Sequence, residues 1–134
     1  MQKLIPLNAT AGFAGFESSS VEYIDLNSDL DQLLIDNPAA TYFGIVEGES
    51  MIGDGIFHGD LLIIDRSEPT VDFDIIVANL NGTFVCKRID KSQKRLLSSN
   101  KLNPPYYLKE GDIFQIEGVV TRSIRLHRAI KKHT

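Results

Sequence analysis

The sequence predicts a mainly β domain with one short N-terminal helix, preceded by a flexible N-terminal arm. Three observations predict it. From Thr41 onward the apolar residues fall in short alternating or continuous runs bounded by glycine, asparagine and aspartate. Asn81-Gly82 separates two such runs and is the strongest short-range signal for a hairpin with a two-residue type I′ turn. Residues 1–22 show neither a period of 2 nor one of 3.6.

The arm is small, polar and glycine-rich. Its segment from Asn8 to Ser20 buries too little apolar area to offset the entropy of ordering it. It carries a short tandem repeat, Ala-Gly-Phe at 11–13 and again at 14–16. Small residues beside glycine are easily drawn as an extended strand through a protease cleft. We divide the chain into this arm, 1–22, and a domain, 23–134.

A short helix opens the domain. Asn27 or Ser28 caps it, Asp29 and Asp31 suit the positive end of its dipole, and Leu30, Leu33 and Leu34 form its apolar stripe. Asn37-Pro38 ends it. Thr41–Val46 reads as a strand running into a corner at Gly48–Met51. Turns at Gly53–Gly55 and His58–Asp60 lead to Leu61–Ile64, a strand buried on both faces. Asp74–Leu80 and Thr83–Ile89 flank the Asn81-Gly82 turn. Lys94–Ser98 and Ile113–Leu126 are further strands, the latter broken near Gly118. The polar tail His127–Thr134 frays.

Composition narrows the function classes. At 134 residues the chain can bury a core without disulfides or metal, and 43% hydrophobic with 24% charged residues is ordinary for a globular protein. One cysteine, Cys86, excludes an internal disulfide framework and a cysteine zinc site, and fits a reducing compartment. His58, His127 and His133 are scattered, so neither a metal centre nor a cofactor is expected. No apolar run approaches the ~20 residues of a membrane span, and Pro6 interrupts the N-terminal apolar stretch too early for a signal peptide. A cytoplasmic protein is expected.

The net charge of −4 hides an asymmetry. Residues 1–86 carry fourteen acidic and two basic side chains; residues 87–134 carry four acidic and twelve basic. The basic third could meet DNA or an acidic partner. Since no aromatic residues interleave the basic run, we expect the halves to neutralise each other within one sheet or across a dimer.

Two positions carry chemistry. Ser50 sits at a glycine-flanked corner after an apolar strand, and Lys87 lies within the second hairpin strand. Alternation puts Val85, Lys87 and Ile89 on one face and Phe84, Cys86 and Arg88 on the other. That pattern allows a dry lysine or a solvated one. A lysine base must be desolvated, because its ordinary pKa of ~10.4 keeps it protonated at neutral pH. Ser50 would then give its proton to neutral Lys87. Gly48 would let the backbone approach a bound peptide, and the amides of Glu49, Ser50 and Met51 could hold an oxyanion.

Gly48-Glu49-Ser50-Met51, then Gly55-Ile56 and Gly59–Asp65, resembles the nucleophile segment of the LexA/UmuD self-cleaving peptidases. Asp74–Ala78, Asn81-Gly82 and Phe84–Arg88 resemble the hairpin bearing that family's lysine. Gln32–Ile35, Pro38 and Ala40–Phe43 are closer to the UmuD branch. The resemblance runs from about Ala14 to Val120. It implies a LexA/UmuD C-terminal-type β-rich fold with Ser50 as nucleophile and Lys87 as general base. It also places the scissile bond at Ala14-Gly15, with Phe16 following, while Ala11-Gly12 is a second candidate. Alanine before the scissile glycine is more like LexA, since UmuD proteins often have cysteine there.

By the same resemblance this is an SOS-response mutagenesis protein with no metal and no cofactor. A RecA filament on single-stranded DNA would stimulate removal of the arm, and the shortened homodimer would join a UmuC-like Y-family translesion polymerase. An arm of 14 residues is too short for a helix-turn-helix, so operator binding is not expected. The alternatives are a non-catalytic dimeric interaction module, a peptidase acting in trans, and the C-terminal fragment of a phage-type repressor.

Overall fold

The computed structural model describes residues 30–131. The arm, the Ala14-Gly15 and Ala11-Gly12 bonds, the helix caps Asn27 and Ser28, and residues 132–134 lie outside the described residues. The chain divides into two compact units between Asp36 and Asn37. In the first, helix α1 spans Leu30–Leu34, with Asp31 in its first turn and its carbonyl accepting from the Ile35 amide at 2.8 Å. It stops three residues before Asn37, and Pro38 instead begins a 3-10 turn, Pro38–Ala40, in the second unit.

The second unit holds one antiparallel sheet. Its strands are β1 Thr41–Ile45, β2 Leu61–Asp65, β3 Ile75–Leu80, β4 Thr83–Asp90, β5 Arg95–Leu97, β6 Tyr106–Tyr107 and β7 Phe114–Ile124. Their order across the sheet is β1-β2-β7-β3-β4-β5-β6. The expected hairpin is present: Leu80 pairs with Thr83, and Asn81 (φ 53°) and Gly82 (φ 88°) both take the positive φ of a type I′ turn.

Two features differ from the sequence reading. β6 was not anticipated, because two residues behind Pro104-Pro105 are too few to show alternation. β7 is not broken near Gly118; it runs through, with register shifts opposite Val77/Ala78 and Ile63/Ile64 that leave Glu117 and Thr121 as extra residues. Such bulges bend a strand without ending it, which lets β7 serve both β2 and β3. Gly118 is required at the first bend because β2 comes so close. A Cβ there would sit 2.6 Å from Ile64 Cγ2 and 3.1 Å from the Asp65 carbonyl oxygen.

Strand alternation sorts the core into two clusters. Ile75 and Val77 of β3, Leu62 and Ile64 of β2 and Cys86 of β4 join one, together with Met51 and Ile56. Ile76 and Ala78 of β3 and Val85 and Ile89 of β4 join the other, with Leu96. Lys87 therefore shares a face with the second cluster, directly across from Ile76, which is fully buried.

Three aspartates are nearly inaccessible and each is satisfied. Asp60 is bound by Arg125, Asp65 accepts from Asn37 and Ser67, and Asp90 is bound by Arg95 and Ser92. The acidic and basic parts of the chain meet within the second unit through Asp54–Arg88 at 2.6 Å and Asp60–Arg125 at 2.7 Å. Among the described residues no helix is long and apolar enough to cross a membrane.

Candidate active site

The Ser50 corner is built by backbone constraints on both sides. Beyond the end of β1, Val46 and the Gly59–Asp60 turn exchange two backbone hydrogen bonds of 2.9 and 2.8 Å. Gly48 then turns the chain at φ 88°, and its amide donates to His58 Nδ1 at 3.1 Å. A Cβ on Gly48 would touch nothing within 4 Å, so the glycine is needed for its left-handed backbone. Met51, 2% exposed, pins the corner into the first core cluster. A 3-10 turn, Ile52–Asp54, follows and is closed by left-handed Gly55.

β4 supplies the lysine. Arg88 pairs with Leu97, the last residue of β5, so Ser98 stands opposite Lys87 one step further along the same register. The Lys87 amine donates to Ser98 Oγ at 2.7 Å. Its hydrogen bond goes there and not to Ser50. Burial holds the Lys87 ammonium below the usual lysine range, the neighbouring Cys86 working the other way. Cys86 itself is pushed up to about 11 by burial.

Past Ser98 the chain leaves β4 and docks on the serine corner. The Ser99 amide donates to the Ser50 carbonyl oxygen at 2.8 Å, and the Gly53 amide donates to the Ser99 carbonyl oxygen at 2.8 Å. The Asp54 amide reaches Ser99 Oγ at 3.0 Å, and Asn100 Nδ2 reaches the Glu49 carbonyl oxygen at 2.9 Å. Arg88, next to Lys87, grips the Asp54 carboxylate and holds it below the usual carboxylate range. The strand with the lysine and the loop with the serine are thus tied twice.

Ser50 and Lys87 line one cavity of about 570 Å³, walled mainly by Tyr42–Val46 of the β1 side and Phe84–Cys86 of β4. Its lining is largely apolar. A second, more polar cavity of about 520 Å³ opens beside Ser50 and is lined by Glu47, Glu49, His58 and Asn100. Among the described residues β1 is hydrogen-bonded on one side alone, to β2, so the cavity is bordered by a sheet edge able to receive an extended peptide. Among the described residues, the amides of Glu49, Ser50 and Met51 are not donated to any other group.

The sequence pattern singled out Ser50 and Lys87 as candidates but not Ser98, Ser99, Asn100 or the Asp54–Arg88 pair. Alternation on β4 alone carried no signal for them. The β4–β5 register is what brings Ser98 to the amine.

The chain is similar over most of its length to proteins of one family. The Peptidase S24-like family model matches residues 3–121. Protein ImpA of Escherichia coli is 35% identical over 94% of this chain and 87% of its own length. Protein SamA of Salmonella typhimurium strain LT2 is 36% identical over 96% of this chain and 91% of its own, and Protein MucA of Escherichia coli is 35% identical over 85% and 80%. With the mainly β fold expected of that family in place, the chain belongs to the Peptidase S24-like family, in its UmuD-type branch.

Proposed function

We propose that this protein is a self-processing serine peptidase that removes its own first 14 residues by cleaving Ala14-Gly15. The observation that carries the reading is the cavity that Ser50 shares with a half-buried Lys87 whose ammonium is held below the usual lysine range. Neutral Lys87 takes the proton of Ser50 as Oγ attacks the Ala14 carbonyl carbon. The oxyanion is held by the amides of Glu49, Ser50 and Met51. Collapse breaks the bond to Gly15, whose nitrogen takes the proton from the Lys87 ammonium. Water, deprotonated by Lys87, then releases the Ala14 carboxylate from the ester and restores Ser50.

The substrate is tethered, so effective concentration replaces a deep specificity pocket. Membership of the UmuD-type branch supports the cellular role: an SOS-response mutagenesis protein, stimulated by a RecA filament on single-stranded DNA. The truncated homodimer then serves a UmuC-like Y-family translesion polymerase in the cytoplasm.

Intact mass after incubation at about pH 10, or with RecA filaments, tests the reading. The wild-type chain loses its first 14 residues, and Ser50→Ala and Lys87→Ala do not. Cleavage persisting in both variants overturns the dyad. A second reading, a non-catalytic dimeric interaction module, draws on the Lys87 hydrogen bond being made to Ser98. It is the outcome if the wild-type chain stays intact under both conditions.

A further inference from the structure

We propose that Ser98 is a positioning residue for Lys87, and that Ser98–Asn100 is a splint setting the spacing between lysine and serine. The proposal rests on the reading of Ser50 and Lys87 as nucleophile and base. Three consecutive residues touch both halves of the site. Ser98 Oγ accepts from Lys87 Nζ at 2.7 Å, the Ser99 amide holds the Ser50 carbonyl at 2.8 Å, and Asn100 holds Glu49 at 2.9 Å.

The geometry has a chemical consequence. A neutral lysine amine has two N–H groups and one lone pair. On a flexible four-carbon stem the lone pair is free to point anywhere in the cavity. Donating one N–H to Ser98 restricts the amine to a rotation about that bond, and one such rotamer turns the lone pair toward the cavity it shares with Ser50. Among the described residues Ser98 makes no hydrogen bond to Ser50; it acts through Lys87.

Gly53 shows how closely the splint is seated. A Cβ at Gly53 would lie 2.4 Å from the Ser99 carbonyl oxygen and 3.0 Å from Ser99 Cβ. Its side-chain-free approach is what lets the Gly53 amide bond that carbonyl. Alanine at 53 would therefore push the splint off the corner while leaving Ser50, Lys87 and Ser98 in the sequence.

The test is the pH–rate profile of self-cleavage in the full chain. A hydroxyl accepting from lysine favours the ammonium over the amine. Ser98→Ala is therefore expected to move the midpoint to lower pH while lowering the plateau rate about 10- to 100-fold, and Ser98→Thr to restore both. Gly53→Ala, folded by circular dichroism, is expected to lower the plateau by at least about tenfold. A wild-type plateau in Ser98→Ala, or a lowered plateau with an unmoved midpoint, overturns the positioning role; an unchanged rate in Gly53→Ala overturns the splint.

A second readout separates this proposal from the dyad itself. In an uncleaved Ser50→Ala background, the Lys87 side chain is titrated by NMR with and without Ser98→Ala. An unmoved titration midpoint rejects the contact whatever the fate of the peptidase reading. Cleavage persisting in Ser50→Ala rejects the dyad and leaves the titration to judge the contact.

Discussion

Lys87 and Ser98 face each other one step beyond the last paired rung of β4 and β5, the amine donating to the hydroxyl at 2.7 Å. Serine is a neutral acceptor. The carboxylates of Asp54, Asp60, Asp90 and Glu117 are matched instead to Arg88, Arg125, Arg95 and Arg66. Across the strand Lys87 meets Ile76, fully buried. The charged form of the lysine thus loses water without gaining a counter-ion at hydrogen-bond range among the described residues, which is why its ammonium is disfavoured.

Self-cleavage is expected to accelerate with pH and then level off. The active form is the neutral amine, and its fraction grows as pH rises through the folded-state value, which lies below 10.5. The rate constant for loss of the first 14 residues, followed by intact mass from about pH 6 to 10, measures it. A rate that is flat or falls over this range would contradict a lysine base.

Stability gives an independent test of the same desolvation. Because folding lowers the lysine value, the unfolded chain binds more protons between the folded and unfolded values, so stability rises with pH across that window. Lys87→Met removes the titrating group and keeps the stem. It is expected to be more stable than wild type at pH 7, with the gap closing as pH approaches the ordinary lysine value. Urea unfolding of both proteins at the two pH values decides it, and a less stable methionine variant at pH 7 would count against burial of the charge.

Arg125 closes the loop that follows the serine corner. It binds the carboxylate of Asp60, donates to the Gly55 carbonyl oxygen at 3.0 Å and stacks on Phe57. Asp60 is 2% exposed, so Arg125→Leu strips a buried carboxylate of its cation and is expected to cost about 1–3 kcal/mol at pH 7. Its slope with pH has the same sign as that of Lys87, because folding lowers both values, but it falls in the acid range. Arg125 holds the Asp60 value below the ordinary carboxylate range, so the contribution is complete above that range and is lost as pH falls through the folded value. Denaturant titrations should show the gap to wild type narrowing in acid.

Gly118→Ala tests the close approach of β7 to β2. The added methyl would meet Ile64 Cγ2 at 2.6 Å with the Asp65 carbonyl oxygen at 3.1 Å, so overpacking of about 1–3 kcal/mol is expected from thermal or urea unfolding. A neutral result would mean that the bulge at Glu117 relaxes to make room.

Much of this molecule was legible along the chain because the signals were local. The Asn81-Gly82 turn followed from the low cost of positive φ at those two residues, and β2 from an uninterrupted apolar run. The serine corner was marked by glycines whose left-handed backbone other residues avoid. β7 was misread as broken because a glycine inside a strand reads alike whether it ends the strand or admits a neighbour.

Sequence alone nominated a candidate nucleophile and base, since residue type, corner and strand are properties of a few neighbouring positions. It left the state of Lys87 open, because alternation names a face without saying what covers it. Tertiary structure decided that face by pairing Lys87 with Ile76, and decided the amine's partner by bringing Ser98 across from β5. Those contacts join residues eleven positions apart in the chain, and it is the β4–β5 register and the docking of Ser99 on Ser50 that select them.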